Sequence, residues 1–235
     1  MRQVPKYGII GGGRAARHFS HYLKLLNIPH LQWSRKNNSE SPESYLSVCA
    51  VVLLLISDSA LEPFLEIHPT LRKKMLVHFS GAIFIEGVAG FHPLMTFGPR
   101  LYSLKEYQEM SFVVEEEGVP FYKIFPELDN PYYAIPKELK SRYHALCVMS
   151  GNFTTILWQK FFSELETRFK IPRKAGFSYL KQIYQNLVEN PGDALTGPLA
   201  RGDYATITRN INSLEGDPFQ NLYRAFVEVH GKGLL

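Results

Sequence analysis

Gly11, Gly13 and Ala16 stand at the spacing G-x-G-x-x-A, directly after the short apolar run Tyr7–Ile10. That spacing builds a phosphate cradle. The first glycine permits a tight turn, the second lets the backbone approach a pyrophosphate, and the small Ala16 lets the following helix pack closely on the strand. Phe19, Leu23 and Leu26 continue from Ala16 at helical spacing, so the pattern opens a helix. The N-terminus of that helix offers free N–H groups and a positive dipole to a phosphate. A second set of residues suits proton transfer. His144, His92 and His78 lie where strand ends or a domain hinge are expected, and an unperturbed imidazole titrates near ~6.5. His144 is the first candidate, on a polar helix side shared with Asn152 eight residues later; His92, in a loop stiffened by Pro93, is the second. Each histidine also has an ordinary structural reading. Asn152 and Ser80 suit hydrogen bonds to a substrate or to the local backbone.

The end of the second expected strand, Leu31–Trp33, distinguishes two dinucleotides. A ribose 2′-hydroxyl calls for Asp or Glu there. This chain has Ser34, Arg35 and Lys36 instead, a hydroxyl and two cations that suit a 2′-phosphate. The cofactor read from these residues is NADP. The stretch "CAVVLLLISDSALEPFLE" is a third strand, apolar throughout as in a parallel sheet covered on both faces, and it ends at Ser57-Asp58 beside the expected ligand crevice.

These residues require a frame. The strands continue through "KMLVHFSGAI" and "SFVVEEEG", and from Lys137 the pattern is helical to the end. The fold class is therefore α/β: a Rossmann-type, mainly parallel sheet over residues 1–136, followed by an all-helical domain over 137–235. In the first long helix Leu146, Met149, Phe153 and Ile156 form an apolar stripe interrupted by Gly151. Near the C-terminus Thr196-Gly197-Pro198 reads as a shaped turn, and Asp203 as the N-cap of a helix through Leu214. Arg201 could bind a substrate carboxylate or pair with Asp203 or Asp193. Arg201-Gly202-Asp203 is also the adhesion tripeptide, a reading that a cytoplasmic nucleotide-binding protein makes poor.

Bulk properties narrow the class. The 235 residues are 45% hydrophobic and 20% charged, with a formal net charge of +4 and no dense basic run, which argues against nucleic acid as the main partner. The longest apolar run, Val48–Ile56, is far short of a membrane span, and no secretory leader is legible at the start. Cys49 and Cys147 read as buried free thiols. A soluble, cytoplasmic protein without metal is expected.

The stretches "GIIGGGRAARHF", "LLLISDSAL", "VHFSGA", "GFHPLMTF", "YHALCVMSGNF" and "ALTGPLARGD" together resemble a family of Rossmann-like predicted NADP oxidoreductases with a C-terminal helical domain of unknown function. That family lies near pyrroline-5-carboxylate reductase, ketopantoate reductase and 6-phosphogluconate dehydrogenase. The resemblance implies NADP at Gly11, Gly12, Gly13, Arg14, Ala15 and Ala16, with Ser34 and Arg35 near the 2′-phosphate. It implies a pocket lined by Ser80, His92, His144, Asn152, Thr196, Arg201 and Asp203, and a homodimer built through the helical domain. The hydroxyacid dehydrogenases place a proton-transferring lysine, then an asparagine, on the first helix of the second domain. Here His144 holds the similar place and Asn152 the later one. The expected activity is hydride transfer between NADP and a small carbonyl, imine or hydroxy compound. The alternative is a non-catalytic NADP-binding sensor or docking module on the same scaffold.

Overall fold

The computed structural model describes residues 6–232. Seven short strands form one sheet: β1 (Tyr7–Ile10), β2 (His30–Trp33), β3 (Val51–Leu54), β4 (Met75–His78), β5 (Ala89–Pro93), β6 (Phe112–Glu115) and β7 (Tyr132–Ile135), in spatial order β2-β1-β3-β4-β5-β6-β7. The first five strands run parallel; β6 pairs antiparallel with β5, and β7 runs parallel to β6. The chain leaves β1 for β2 on one side and returns to β3 on the other. That reversal opens a crevice at the carboxyl ends of β1 and β3.

The strands are apolar on both faces because both are covered. On one face Tyr7, Ile9, Leu53, Val77, Phe91, Phe112 and Val114 pack with α1 (Arg14–Leu25) through Ala16, Phe19, Tyr22 and Leu23. Tyr107 and Phe121, from the short helices α4 (Leu104–Gln108) and α5 (Phe121–Ile124), close that core. On the other face Ile10, Trp33, Val52, Leu54 and Leu76 pack against Leu46, which follows α2 (Pro42–Tyr45), and against Leu61 and Leu65 of α3 (Asp58–Ile67). Cys49 is buried in this second core.

Helix α1 is held by polar anchors as well as by packing. His18 shares a hydrogen bond with the Gly98 carbonyl at 2.8 Å and another with the Tyr107 hydroxyl at 2.9 Å. The Tyr22 hydroxyl donates to Asn130 at 2.7 Å, and the buried Asn130 amide donates in turn to the carbonyls of Tyr107 and Met110. Each buried polar group on this network has a partner, which fixes the orientation of the helix.

Among the described residues, the regular elements after β7 are helices: α6 (Lys140–Cys147), α7 (Thr154–Thr167), α8 (Phe177–Glu189), α9 (Gly197–Arg201), α10 (Tyr204–Ser213) and α11 (Phe219–Lys232). Val148–Phe153 joins α6 to α7 as a π-helical segment. The chain divides into two compact units, Met1–Ile156 and Leu157–Leu235. In the second unit Trp158, Phe161 and Phe162 of α7 meet Phe177 and Tyr179 of α8 edge to face or tilted. Gly176 stands at that contact, where a Cβ would press on Phe162 at 3.0 Å and Phe161 at 3.1 Å. Lys160 bridges Glu164 at 3.0 Å and Asp217 at 2.6 Å.

One sequence expectation changes here, and one element appears that no pattern announced. The stretch Gly118–Pro136 holds one turn of helix, α5, and the seventh strand, β7. Thr196-Gly197-Pro198 is a helix start: Thr196 is the N-cap and Pro198 lies in the first turn of α9, where its missing N–H costs nothing. Asp203 does cap α10, its carboxylate accepting from the Thr206 N–H at 3.0 Å, and this bond holds its pKa below the ordinary range. The adhesion tripeptide is a corner between two helices, with Gly202 in the left-handed conformation at φ 64°.

Candidate functional site

The glycine turn sits at the carboxyl end of β1. Gly11 has φ 143°, and a Cβ there would collide with the Leu55 carbonyl, so only glycine fits. Its N–H donates to the Trp33 carbonyl at 2.9 Å, and its own carbonyl accepts from the Gln32 amide at 2.8 Å. These bonds tie the turn to β2. Ala16 is fully buried directly beneath it. Gly13 is the N-cap of α1, with open space where its Cβ would stand and no side-chain capping bond. The first N–H groups of the helix therefore point at an uncovered surface.

Around this turn opens a cleft of about 710 Å³. Gly11, Gly12, Gly13, Arg14 and Ala15 form its floor, Ser57 and Ala60 one wall, and Ser34, Arg35 and Lys36 one end. Trp33, Pro63, Phe64 and Ile67 give it an apolar side. The turn carrying the cations is built, since the Ser34 N–H donates to the Asn38 side chain at 3.0 Å and the Ser34 carbonyl accepts from two backbone N–H groups. Asp58 begins α3, and its carboxylate accepts a 2.7 Å hydrogen bond from Ser80. The Ser80 hydroxyl also accepts from the N–H groups of Ala82 and Ile83, so it shapes the turn after β4.

A second cluster lies further along the sheet. Strand register places His78, Gly90, Glu115 and Ile135 side by side across β4, β5, β6 and β7. Register of this kind puts all four on one face, except that Gly90 leaves a gap. Lys140, from the start of α6, fills the gap: a Cβ at Gly90 would collide with the Lys140 ammonium and the Glu115 carboxylate. The two charges pair at 2.5 Å and are both buried, 5% and 7% exposed. His78 is sealed at 0% exposure; its Nδ1 accepts from the Ser80 N–H at 3.1 Å, while its Nε2 has no hydrogen-bond partner. Burial, and then the nearby Lys140 charge, push its pKa down to about 3.

His92 lies two residues beyond Gly90 on β5, on the same face, and is partly exposed. Its Nδ1 lies 2.8 Å from the Tyr143 hydroxyl of α6, and its ring stands at 88° to His144 with centroids 5.7 Å apart. Gly81 allows that approach, because a Cβ there would fall 2.8 Å from the His144 ring and 2.9 Å from the His92 ring. Burial, the neighbouring His144 and Lys140 lower the His92 pKa to about 4, with Asp58 opposing.

The structure thus brings His92 and His144 together, and it joins Ser80 to Asp58 beneath the crevice. Asn152 lies exposed in the π-helical segment, and that wider turn breaks the α-helical phase on which its alignment with His144 was reckoned. Thr196, Arg201 and Asp203 belong to the second unit; Thr196 and Arg201 are exposed there. Sequence reading missed Lys140, Glu115, Gly90 and Tyr143. One signal was available: Lys140 and His144 are four apart on one helix, so they share a face. Among the described residues no group of His, Cys, Asp and Glu is arranged to hold a metal ion.

Comparison with known proteins agrees with this architecture. A Bacteroides fragilis protein provisionally described as an NADP oxidoreductase superposes with a TM-score of 0.76 at 20% identity, covering 96% of this chain and 97% of its own. Pyrroline carboxylate reductase from Plasmodium falciparum, solved with NADP bound, gives 0.57 at 15% identity over 97% and 96% of the two chains. An imine reductase from Streptomyces aurantiacus gives 0.65 at 14% identity over 97% and 94%. No curated protein matches the chain by sequence. Residues 115–229 match the family model for a domain of unknown function, DUF2520. The chain therefore has the Rossmann-like fold of these structures, and its residues 115–229 are similar to DUF2520.

Proposed function

We propose that the protein is an NADP-dependent oxidoreductase that moves a hydride between the nicotinamide and a small carbonyl, imine or hydroxy compound. The observation that carries this reading is the cleft at Gly11–Ala15, which ends on Ser34, Arg35 and Lys36. The uncapped start of α1 suits a pyrophosphate, Arg35 and Lys36 a 2′-phosphate, and Phe64 with Ile67 an adenine face. The NADP-bound pyrroline carboxylate reductase of the same fold supports the cofactor assignment. In this reading residues 1–136 hold the cofactor and 137–235 supply substrate contacts and the dimer. His92 and His144 would face the reacting group; Asn152, Thr196, Arg201 and Asp203 are the further candidates for substrate contact, each to be tested by its own substitution.

The nicotinamide would supply the hydride. The protein's own residues bind and orient. Gly11 and Gly13 let the backbone reach the pyrophosphate, Ser57 lines the crevice, and Ser80 with Asp58 holds the turn that ends in Gly81 beneath the histidines. Titration of the apoprotein with NADPH and NADH, followed by nicotinamide fluorescence, tests the reading. NADPH is expected to bind far more tightly than NADH, and binding of neither would refute it. Turnover is then measured on a panel of cyclic imines, keto acids and hydroxy acids. Binding without turnover on any of them would favour a sensor on the same scaffold.

A further inference from the structure

The hydroxyl of Tyr143 lies 2.8 Å from Nδ1 of His92. A phenol has one proton to give, and neutral imidazole has one nitrogen that accepts and one that donates. Burial, followed by the adjacent Cys147 thiol, raises the Tyr143 pKa, so the hydroxyl keeps its proton throughout the working range. Two acceptors stand beside it, the His92 nitrogen and the Cys147 sulfur, and sulfur is much the weaker acceptor. His78, in the neighbouring strand, has the same arrangement beyond ambiguity. Its Nδ1 faces the Ser80 N–H, which can only donate, so its proton is on Nε2.

We propose that Tyr143 is a positioning residue: its hydroxyl donates to Nδ1 of His92 and fixes that ring as the neutral tautomer carrying its proton on Nε2. The Nε2–H is then a preset donor for the oxygen or nitrogen of the substrate. This rests on the oxidoreductase reading given above. A bound nicotinamide would supply the hydride with its electron pair, and the π pair of the C=O or C=N bond would move onto the heteroatom. The Nε2–H stabilises that charge without losing its proton. A solvent water would protonate the heteroatom as that charge develops, and the hydroxide left behind would pass to bulk solvent.

The groups facing His92 agree with a neutral ring. From α6 they are Lys140, Tyr143 and His144, and from α3 Asp58; Lys140 is itself paired with Glu115 of β6. Tyr143 was not legible as functional in the sequence, because tyrosine on a helix is most often packing.

The test is nitrogen-15 NMR of histidine side chains in the apoprotein, with the His92 signals assigned by a His92→Gln variant. At pH 7 the wild type is expected to show the Nε2–H tautomer at His92, and Tyr143→Phe to shift it toward a mixture, a change of roughly tenfold in tautomer ratio. An Nδ1–H tautomer or an imidazolium in the wild type would overturn the proposal, as would unchanged nitrogen shifts in Tyr143→Phe. Because the measurement needs no cofactor, its outcome is separate from that of the NADPH titration. With 1-pyrroline as the probe imine, Tyr143→Phe is expected to lower kcat about tenfold while leaving the NADPH Kd unchanged. An unchanged kcat in an enzyme active on that probe would also count against it.

Discussion

At the scale of single residues, cofactor choice and acid sensitivity rest on different side chains. Arg35 and Lys36 end the cleft, and a 2′-phosphate held by Arg35 gains charge-assisted hydrogen bonds that a 2′-hydroxyl cannot match. Arg35→Ala should therefore narrow the preference for NADPH over NADH by about tenfold or more, read from the two Kd values. His78 governs acid stability. Its folded pKa is lowered to about 3, whereas the unfolded chain binds the proton near ~6.5. Between these values the unfolded state holds more protons, so the stability contributed by a neutral His78 is full above pH 6.5 and is lost as pH falls. The expected slope is about 1.4 kcal/mol per pH unit for this residue, visible in urea midpoints at pH 7 and 5 and reduced in His78→Gln. Part of this was legible in the sequence. The glycine spacing and Ser34-Arg35 are local patterns, and they lie together in the cleft. The role of Gly90 was not legible, because the atoms that fill its place come from Glu115 and Lys140, far along the chain.

At the scale of elements, α6 is docked on the sheet by one buried ion pair. Removing a single partner leaves the other charge without compensation, at a cost of about 3–5 kcal/mol, whereas replacing both by apolar groups is often neutral. Lys140→Ala should therefore destabilise strongly in urea denaturation, and the double change Lys140→Met with Glu115→Leu should recover most of the loss. The strands at β1, β3, β4 and β6 were readable because apolar runs mark sheets covered on both faces. β7 was hidden because its residues, Tyr132–Ile135, are exposed or half-exposed and lie among prolines and acids. The π-helical segment had no sequence signature beyond Gly151, yet it changes which residues share a face.

At the scale of the whole molecule, much of the apolar surface of the helices lies uncovered. Leu146, Met149, Phe153 and Ile156 are each about half exposed, at 56%, 53%, 48% and 48%, and Tyr184, Val188 and Val229 are more exposed still. A second copy of the chain is the expected cover. Light scattering should give twice the chain mass of 26.9 kDa, and Phe153→Glu should shift the population to monomer. A monomer in the wild type would end that reading. The filled gap at Gly90 also bears on how such a molecule changes over time. A methyl group at position 90 would push the Lys140 and Glu115 side-chain ends out of their present contact, and neither charge can leave alone without stranding the other. Positions 90, 115 and 140 thus form a lock with three tumblers. A side chain at position 90 would have to displace both charged ends, so a change at any one of the three positions is expected to be tolerated best together with changes at the other two.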